Sequence, residues 1–237
     1  MPLDNESDTL IIFDLDGTLL DVFDYHVASV EKVVKHIWNV SDQLPKSKRY
    51  GIPQKQTIRN ICEAGGVPKE KIDRHLQRAL LMLTTEMQRT LPPDLTNSLL
   101  PGVIELLDEL AGQQNVCLSL ATGTLGPTAE ILLARSGLKK YFPVSAFGHE
   151  VFSRQELVRL ALERSCDHYG LDETQIRVVT IGDAPSDIEA GRSIGARTVS
   201  VASSSFSPDE LTRFSPDVLL ASFEDVENAL ESILGSV

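Results

Sequence analysis

The chain has 237 residues, 42% of them hydrophobic, and a formal net charge of −12 at pH 7. That is ample apolar material for one large domain, or for a core with an insert, and it argues against a disordered chain. The acid excess opposes a nucleic-acid partner, because binding a phosphate backbone needs a basic face.

The acidic N-terminus MPLDNESDTL has no apolar targeting core, and no later stretch approaches the length of uninterrupted apolar sequence that spans a bilayer. A soluble, cytoplasmic protein with no membrane partner is the expectation. The first predicted element is the run Leu10-Ile11-Ile12-Phe13, short, continuous and rich in β-branched or aromatic residues, as in a strand buried on both faces of a parallel sheet. It runs into Asp14 and Asp16. Side chains repeat every two residues along a strand, so the two carboxylates share a side and repel unless a cation or a shared proton intervenes. The other reading of this stretch is a tight Asp16-Gly17 turn closing the strand.

After Asp21 the sequence changes to helical spacing. The segments DYHVASVEKVVKHIWN, IPQKQTIRNICEAGG and PKEKIDRHLQRALLMLTTEMQ each place apolar residues three and four apart. Residues 22–95 carry 12 Lys and Arg against 8 Asp and Glu, while the rest of the chain carries 10 against 26. A basic segment set against an acidic body fits either an anionic ligand shared between them or ordinary solvated helix surfaces. From Pro101 onward helices and strands alternate, with strands predicted at VCLSLAT, PVSAF, RVVTIGD, RTVSVA and DVLLAS, and a polar loop at ASSSFSPDE. Alternation of this kind implies a parallel sheet covered by helices on both faces. The gap between the first strand and the helix after Pro101 far exceeds the roughly dozen residues that a crossover needs, so the helical stretch is an insertion. Cys62, Cys117 and Cys166 are odd in number, lack Cys-x-x-Cys spacing and read as reduced, buried thiols.

Ligands of open α/β sheets bind beyond the carboxyl ends of the strands. Three strands end in polar groups: the first in Asp14 and Asp16, the second in Thr122-Gly123-Thr124, and another in Gly182-Asp183 with Asp187 four residues on. Thr122 or Thr124 could simply satisfy helix amides, and Asp187 could complement a helix dipole near Pro185. Taken together, four carboxylates at one sheet edge are costly without a bound cation.

Asp14-Leu15-Asp16-Gly17-Thr18 after a hydrophobic strand, Thr122 ending the next, Arg154 opening the helix RQELVRLALER, and Gly182, Asp183 and Asp187 resemble, in order and spacing, the four motifs of the haloacid dehalogenase-like hydrolases. The resemblance covers Leu10 to Asp21 and Leu100 to Val237, and is to the phosphoglycolate phosphatase and β-phosphoglucomutase-like group with a helical cap. It implies an α/β fold, with a Rossmann-like catalytic core at residues 1–20 and 96–237 and an α-helical cap inserted at 21–95. It further implies Asp14 as nucleophile and Asp16 as acid and base, the latter needing raised proton affinity. Mg²⁺ would sit on Asp14, the Asp16 carbonyl, Asp183 and Asp187, with Thr122, the Gly123 amide and Arg154 on the substrate phosphate. Arg154 stands where Lys is more usual, and Gly123 where a side-chain donor is often found.

An Asp at position 16 points the resemblance toward phosphate esters, hence a phosphatase acting on a small phosphorylated metabolite such as phosphoglycolate or a sugar phosphate. A phosphomutase is the alternative, because His26 lies where mutases of this type carry a histidine. A non-catalytic protein retaining the fold is the alternative of another class. Arg49 and Lys55, flanking Gly51, join His26 as expected cap contacts to substrate.

Overall fold

The computed structural model describes residues 8–45, 49–203 and 205–235. Its centre is a six-stranded parallel sheet of β1 (Thr9–Phe13), β2 (Val116–Thr122), β3 (Val144–Phe147), β4 (Arg177–Gly182), β5 (Arg197–Val201) and β6 (Val218–Leu220), in the order β3-β2-β1-β4-β5-β6. Every residue of β1 is buried, which is why this strand reads as a continuous apolar run rather than an alternating one. Phe13 pairs in register with Leu120 of β2 and Ile181 of β4, so the carboxyl ends of these three strands finish level with one another. The chain builds outward from β1 in one direction and then from β4 in the other. The resulting crevice between β1 and β4 is where such sheets hold ligands.

Helices α4 (Val103–Gly112), α5 (Gly126–Ser136), α6 (Arg154–Tyr169), α7 (Pro185–Ser193) and α9 (Val226–Leu234) connect or follow the strands. A shorter helix, α8 (Pro208–Thr212), corrects the expectation of loop through residue 210. Ser207 accepts a hydrogen bond from the Glu210 amide and Glu210 reaches back to the Ser207 amide, a capping box that starts a helix even with Pro at its first position.

Between β1 and α4 lie α1 (Phe23–Trp38), α2 (Gln54–Ala64) and α3 (Lys69–Thr90). Their three-and-four spacing is realised as a shared apolar interior: Val33, Val34, Ile58, Ile61, Ile72 and Leu83 are all buried and continuous with the cluster beneath the sheet. Cys62 belongs to that interior and burial pushes its thiol up to about 12, so it is chemically quiet, and all three cysteines are free. Four of the basic residues of this segment pair within it: Lys32 and Arg89 with Glu86, Arg59 with Asp73, and Arg49 with Asp42. Among the described residues no helix is long and apolar enough to cross a membrane.

Candidate active site

The strand ends bring Asp14, Asp16, Thr122, Gly123, Asp183 and Asp187 to one rim. The Asp14 amide continues the ladder by donating to the Ile181 carbonyl at 2.8 Å, which fixes where its side chain leaves the strand. Gly17 follows with φ of 86°, so the tight turn after Asp16 exists alongside the carboxylate cluster rather than instead of it. Arg154 arrives from across the sheet because the capping box Ser153/Glu156 starts α6 at that residue, with the Glu156 amide donating to Ser153 Oγ at 3.2 Å.

Arg154 is 4% exposed. Its Nη2 donates to Asp14 Oδ1 at 2.7 Å, and its Nε makes an ionic contact, outside hydrogen-bonding geometry, with Asp187 Oδ1 at 2.7 Å. The second oxygen of Asp187 accepts from the Ala184 amide at 3.0 Å, so this residue caps α7 and faces the cluster at once. Thr18 Oγ1 donates to Asp183 Oδ1 at 3.4 Å. Asp14, Asp183 and Asp187 each offer a carboxylate oxygen within 4.8 Å of the other two.

One guanidinium does not balance three buried carboxylates. Burial pushes Asp14 well above its ordinary 3.8. Arg154 pulls it back, and Asp187, Asp183 and Asp16 add to the rise. Burial likewise raises Asp187 against the opposing pull of Arg154 and the Ala184 and Asp183 amides. Asp16 behaves in the opposite sense, which corrects the expectation of raised proton affinity. Burial raises it, but His26 beside it, hydrogen bonds from His26 and Thr124, and Arg154 outweigh burial and hold the carboxyl low.

The contacts of Asp16 come from a chain of hydrogen bonds that crosses to the inserted helices. The Leu125 amide donates to Gln54 Oε1 at 3.1 Å, which orients the Gln54 amide so that Nε2 faces His26 Nδ1 at 2.6 Å. That leaves His26 Nε2 as the ring's donor toward Asp16 Oδ1 at 2.9 Å, while Thr124 Oγ1 donates to Asp16 Oδ2 at 2.6 Å. Gln54 and Thr124 are site residues that the sequence reading did not assign. Thr124 was visible in the Thr-Gly-Thr strand end, but nothing sets Gln54 apart from any polar residue opening a helix. Thr122, fully buried, accepts from the Thr124 amide at 3.1 Å and so shapes this turn.

His26 and Arg49 line the cleft with Asp14, Asp16 and Gly123. Lys55 does not, and this corrects its expected role. It lies in the first turn of α2 rather than in the loop, donates to the His149 carbonyl at 3.0 Å, and sits 3.7 Å from the centre of the Phe152 ring. The Gln54 amide donates to the Gly123 carbonyl at 2.8 Å, and a Cβ added to Gly123 would lie 2.7 Å from the Ile52 carbonyl oxygen. Gly123 is therefore what allows the loop before α2 to close onto the sheet rim. Gly123→Ala is expected to hold that loop away and lower kcat/KM by about tenfold or more, with little change in the unfolding midpoint, measured by steady-state kinetics beside denaturant titration.

A family model described as haloacid dehalogenase-like hydrolase matches residues 11–201. The chain belongs to the haloacid dehalogenase-like hydrolases. It is 26% identical over 227 residues to a phosphorylated carbohydrates phosphatase of Thermotoga maritima, covering 94% of this chain and 99% of the relative. It is 28% identical over 225 residues to a phosphoglycolate phosphatase of Synechococcus elongatus, covering 94% and 98%. A solved structure of β-phosphoglucomutase from Clostridium difficile shares the fold with a TM-score of 0.72 at 18% identity, over 94% of this chain and 96% of that one. The family member described here is thus a hydrolase whose curated relatives include phosphatases.

Proposed function

We propose that this enzyme is a Mg²⁺-dependent phosphatase that hydrolyses the phosphate monoester of a small metabolite through an aspartyl phosphate on Asp14. The observation that carries the reading is the cluster itself: Asp14, Asp183 and Asp187 within 4.8 Å of one another around a single buried Arg154. The donor set fits a small hard dication, because it consists of buried carboxylate oxygens with negative charge left over and with Asp14 and Asp187 raised in consequence. Asp14, Asp183 and Asp187, with the Asp16 carbonyl, would hold Mg²⁺, which when bound neutralises charge on the phosphate oxygens.

In this reading residues 1–20 and 96–237 form the catalytic core and residues 21–95 the cap. Arg154 orients the Asp14 carboxylate and, with the Gly123 amide and Thr122, receives the phosphate. Asp14 attacks phosphorus, the bond from phosphorus to the ester oxygen breaks, and Asp16, entering the step protonated, passes its proton to the departing alcohol. Asp16, kept low by its partners, then accepts a proton from water as that water attacks the aspartyl phosphate, releasing phosphate and restoring Asp14. The contacts of Gln54 with Leu125 and Gly123 close the cap over this exchange and keep bulk water out. A small phosphorylated metabolite as partner and a cytoplasmic setting accompany the proposal.

Phosphate release from an aryl phosphate is expected with Mg²⁺ and is expected to be lost on chelation; turnover indifferent to the chelator would end the metal-dependent reading. The direct His26 to Asp16 contact favours one second reading, a phosphomutase. Incubation with β-glucose 1-phosphate and a bisphosphate primer separates the two, since a mutase yields glucose 6-phosphate and a phosphatase yields free phosphate.

A further inference from the structure

The wall of the cleft facing the carboxylates has a composition that selects among phosphate esters, and the inference drawn from it rests on the phosphatase reading and deepens it. Phe23, Val27 and Val30 of α1, and Tyr50 and Ile52 of the loop before α2, supply the apolar part of this wall. The rings of Phe23 and Tyr50 meet edge to face with centroids 4.2 Å apart, so they present a fixed aromatic corner rather than two mobile side chains.

The charged groups that the cap contributes to this wall, among the described residues, are Asp42 and Arg49. They offset one another in charge: Arg49 Nη2 lies 2.8 Å from Asp42 Oδ2 and donates to the Leu44 carbonyl at 3.4 Å, while Arg49 Nε is buried without a hydrogen-bond partner among the described residues. Lys55 is turned away onto His149 and Phe152. Arg154 is engaged by Asp14 and Asp187. The polar side chains nearby are also occupied, Gln54 by His26 and Leu125, Thr124 by Asp16, and Thr57 by the Arg49 carbonyl.

Among the described residues no cation of this wall lacks a carboxylate partner, so a leaving group bearing a carboxylate would press its charge against hydrocarbon or compete with Asp42 for Arg49, and a polyhydroxylated sugar would bury more hydroxyls than the single open side-chain donor, Arg49 Nε, can serve. An uncharged ring suffers neither cost and finds aromatic edges and aliphatic faces. We infer that the substrate is a phosphate monoester of an uncharged, ring-bearing alcohol rather than of an anionic or polyhydroxylated one.

The test compares kcat/KM for benzyl phosphate, phosphoglycolate and glucose 6-phosphate, whose leaving alcohols are of similar basicity, so that differences report the cleft wall rather than bond reactivity. Wild-type enzyme is expected to favour benzyl phosphate over each of the others by at least about tenfold. In Asp42→Asn, which releases Arg49 from its partner, the preference over phosphoglycolate is expected to shrink about tenfold while glucose 6-phosphate gains little. Wild-type enzyme that hydrolyses phosphoglycolate or glucose 6-phosphate as well as benzyl phosphate overturns the inference, and so does an unchanged preference in folded Asp42→Asn. Phosphate released from none of the three, nor from an aryl phosphate, overturns the phosphatase reading beneath it.

Discussion

Asp14→Asn is expected to abolish phosphate release, by at least about 10³-fold, while leaving the metal-free protein as stable as wild type or more so near neutral pH. The two outcomes have one origin. Asp14 titrates above its ordinary 3.8 because burial and three neighbouring carboxylates outweigh Arg154. Where the folded pKa of an acid exceeds the unfolded one, the native state holds more protons than the unfolded state, and stability falls as pH rises from 3.8 through the folded value. Asparagine imitates the protonated acid, keeps an acceptor for Arg154 Nη2, and removes that loss. Thermal melts of the metal-free proteins between about pH 5 and pH 8 should show a shallower decline for the variant, some slope remaining because Asp187 is raised as well. Added Mg²⁺ should then reverse the order, since it stabilises only the protein that binds it well. Retained turnover in the variant would remove Asp14 as nucleophile. A metal-free variant markedly less stable than wild type near neutral pH would mean that Arg154 already balances the cluster.

The parts of this arrangement that local chemistry dictates were legible in the sequence. Leu10 to Phe13 reads as a doubly buried strand, which places the two acids behind it at its carboxyl end, where β2 and β4 bring Gly123 and Asp183. Ser-Arg-Gln-Glu at 153–156 is a capping box, so Arg154 at a helix start was readable too, although its reach to Asp14, 140 residues away, was not. What stayed hidden depends on packing between segments distant in the chain. Gln54 acquires its role only when α2 lands against Gly123 and Leu125. Lys55, one residue on, turns by about 100° around the same helix and faces Phe152 instead. The register of α2 sets which of the two faces the rim, and net charge does not report that register. The low proton affinity of Asp16 is hidden in the sequence for a related reason: burial can be foreseen, but the simultaneous approach of His26 and Thr124 cannot.

Arg154→Met should be the most destabilising single change at this rim, about 3–5 kcal/mol in the metal-free protein, because it strands Asp14 and Asp187 in a buried site without their shared cation. The deficit should depend on pH in a predictable direction. With the guanidinium gone both carboxyls rise further, so the variant approaches wild type in acid, where they are protonated anyway, and falls behind as pH increases. Urea unfolding at two pH values measures this directly. Mg²⁺ should narrow the gap by supplying positive charge to the same oxygens, which separates loss of charge from loss of side-chain volume. Arg154→Lys is expected to fall between the two, because one ammonium cannot span Asp14 through one nitrogen and Asp187 through another as the guanidinium does. If Arg154→Met lost no more stability at high pH than at low, the carboxylates would not be competing for that cation, and the rim would have no electrostatic need of a dication.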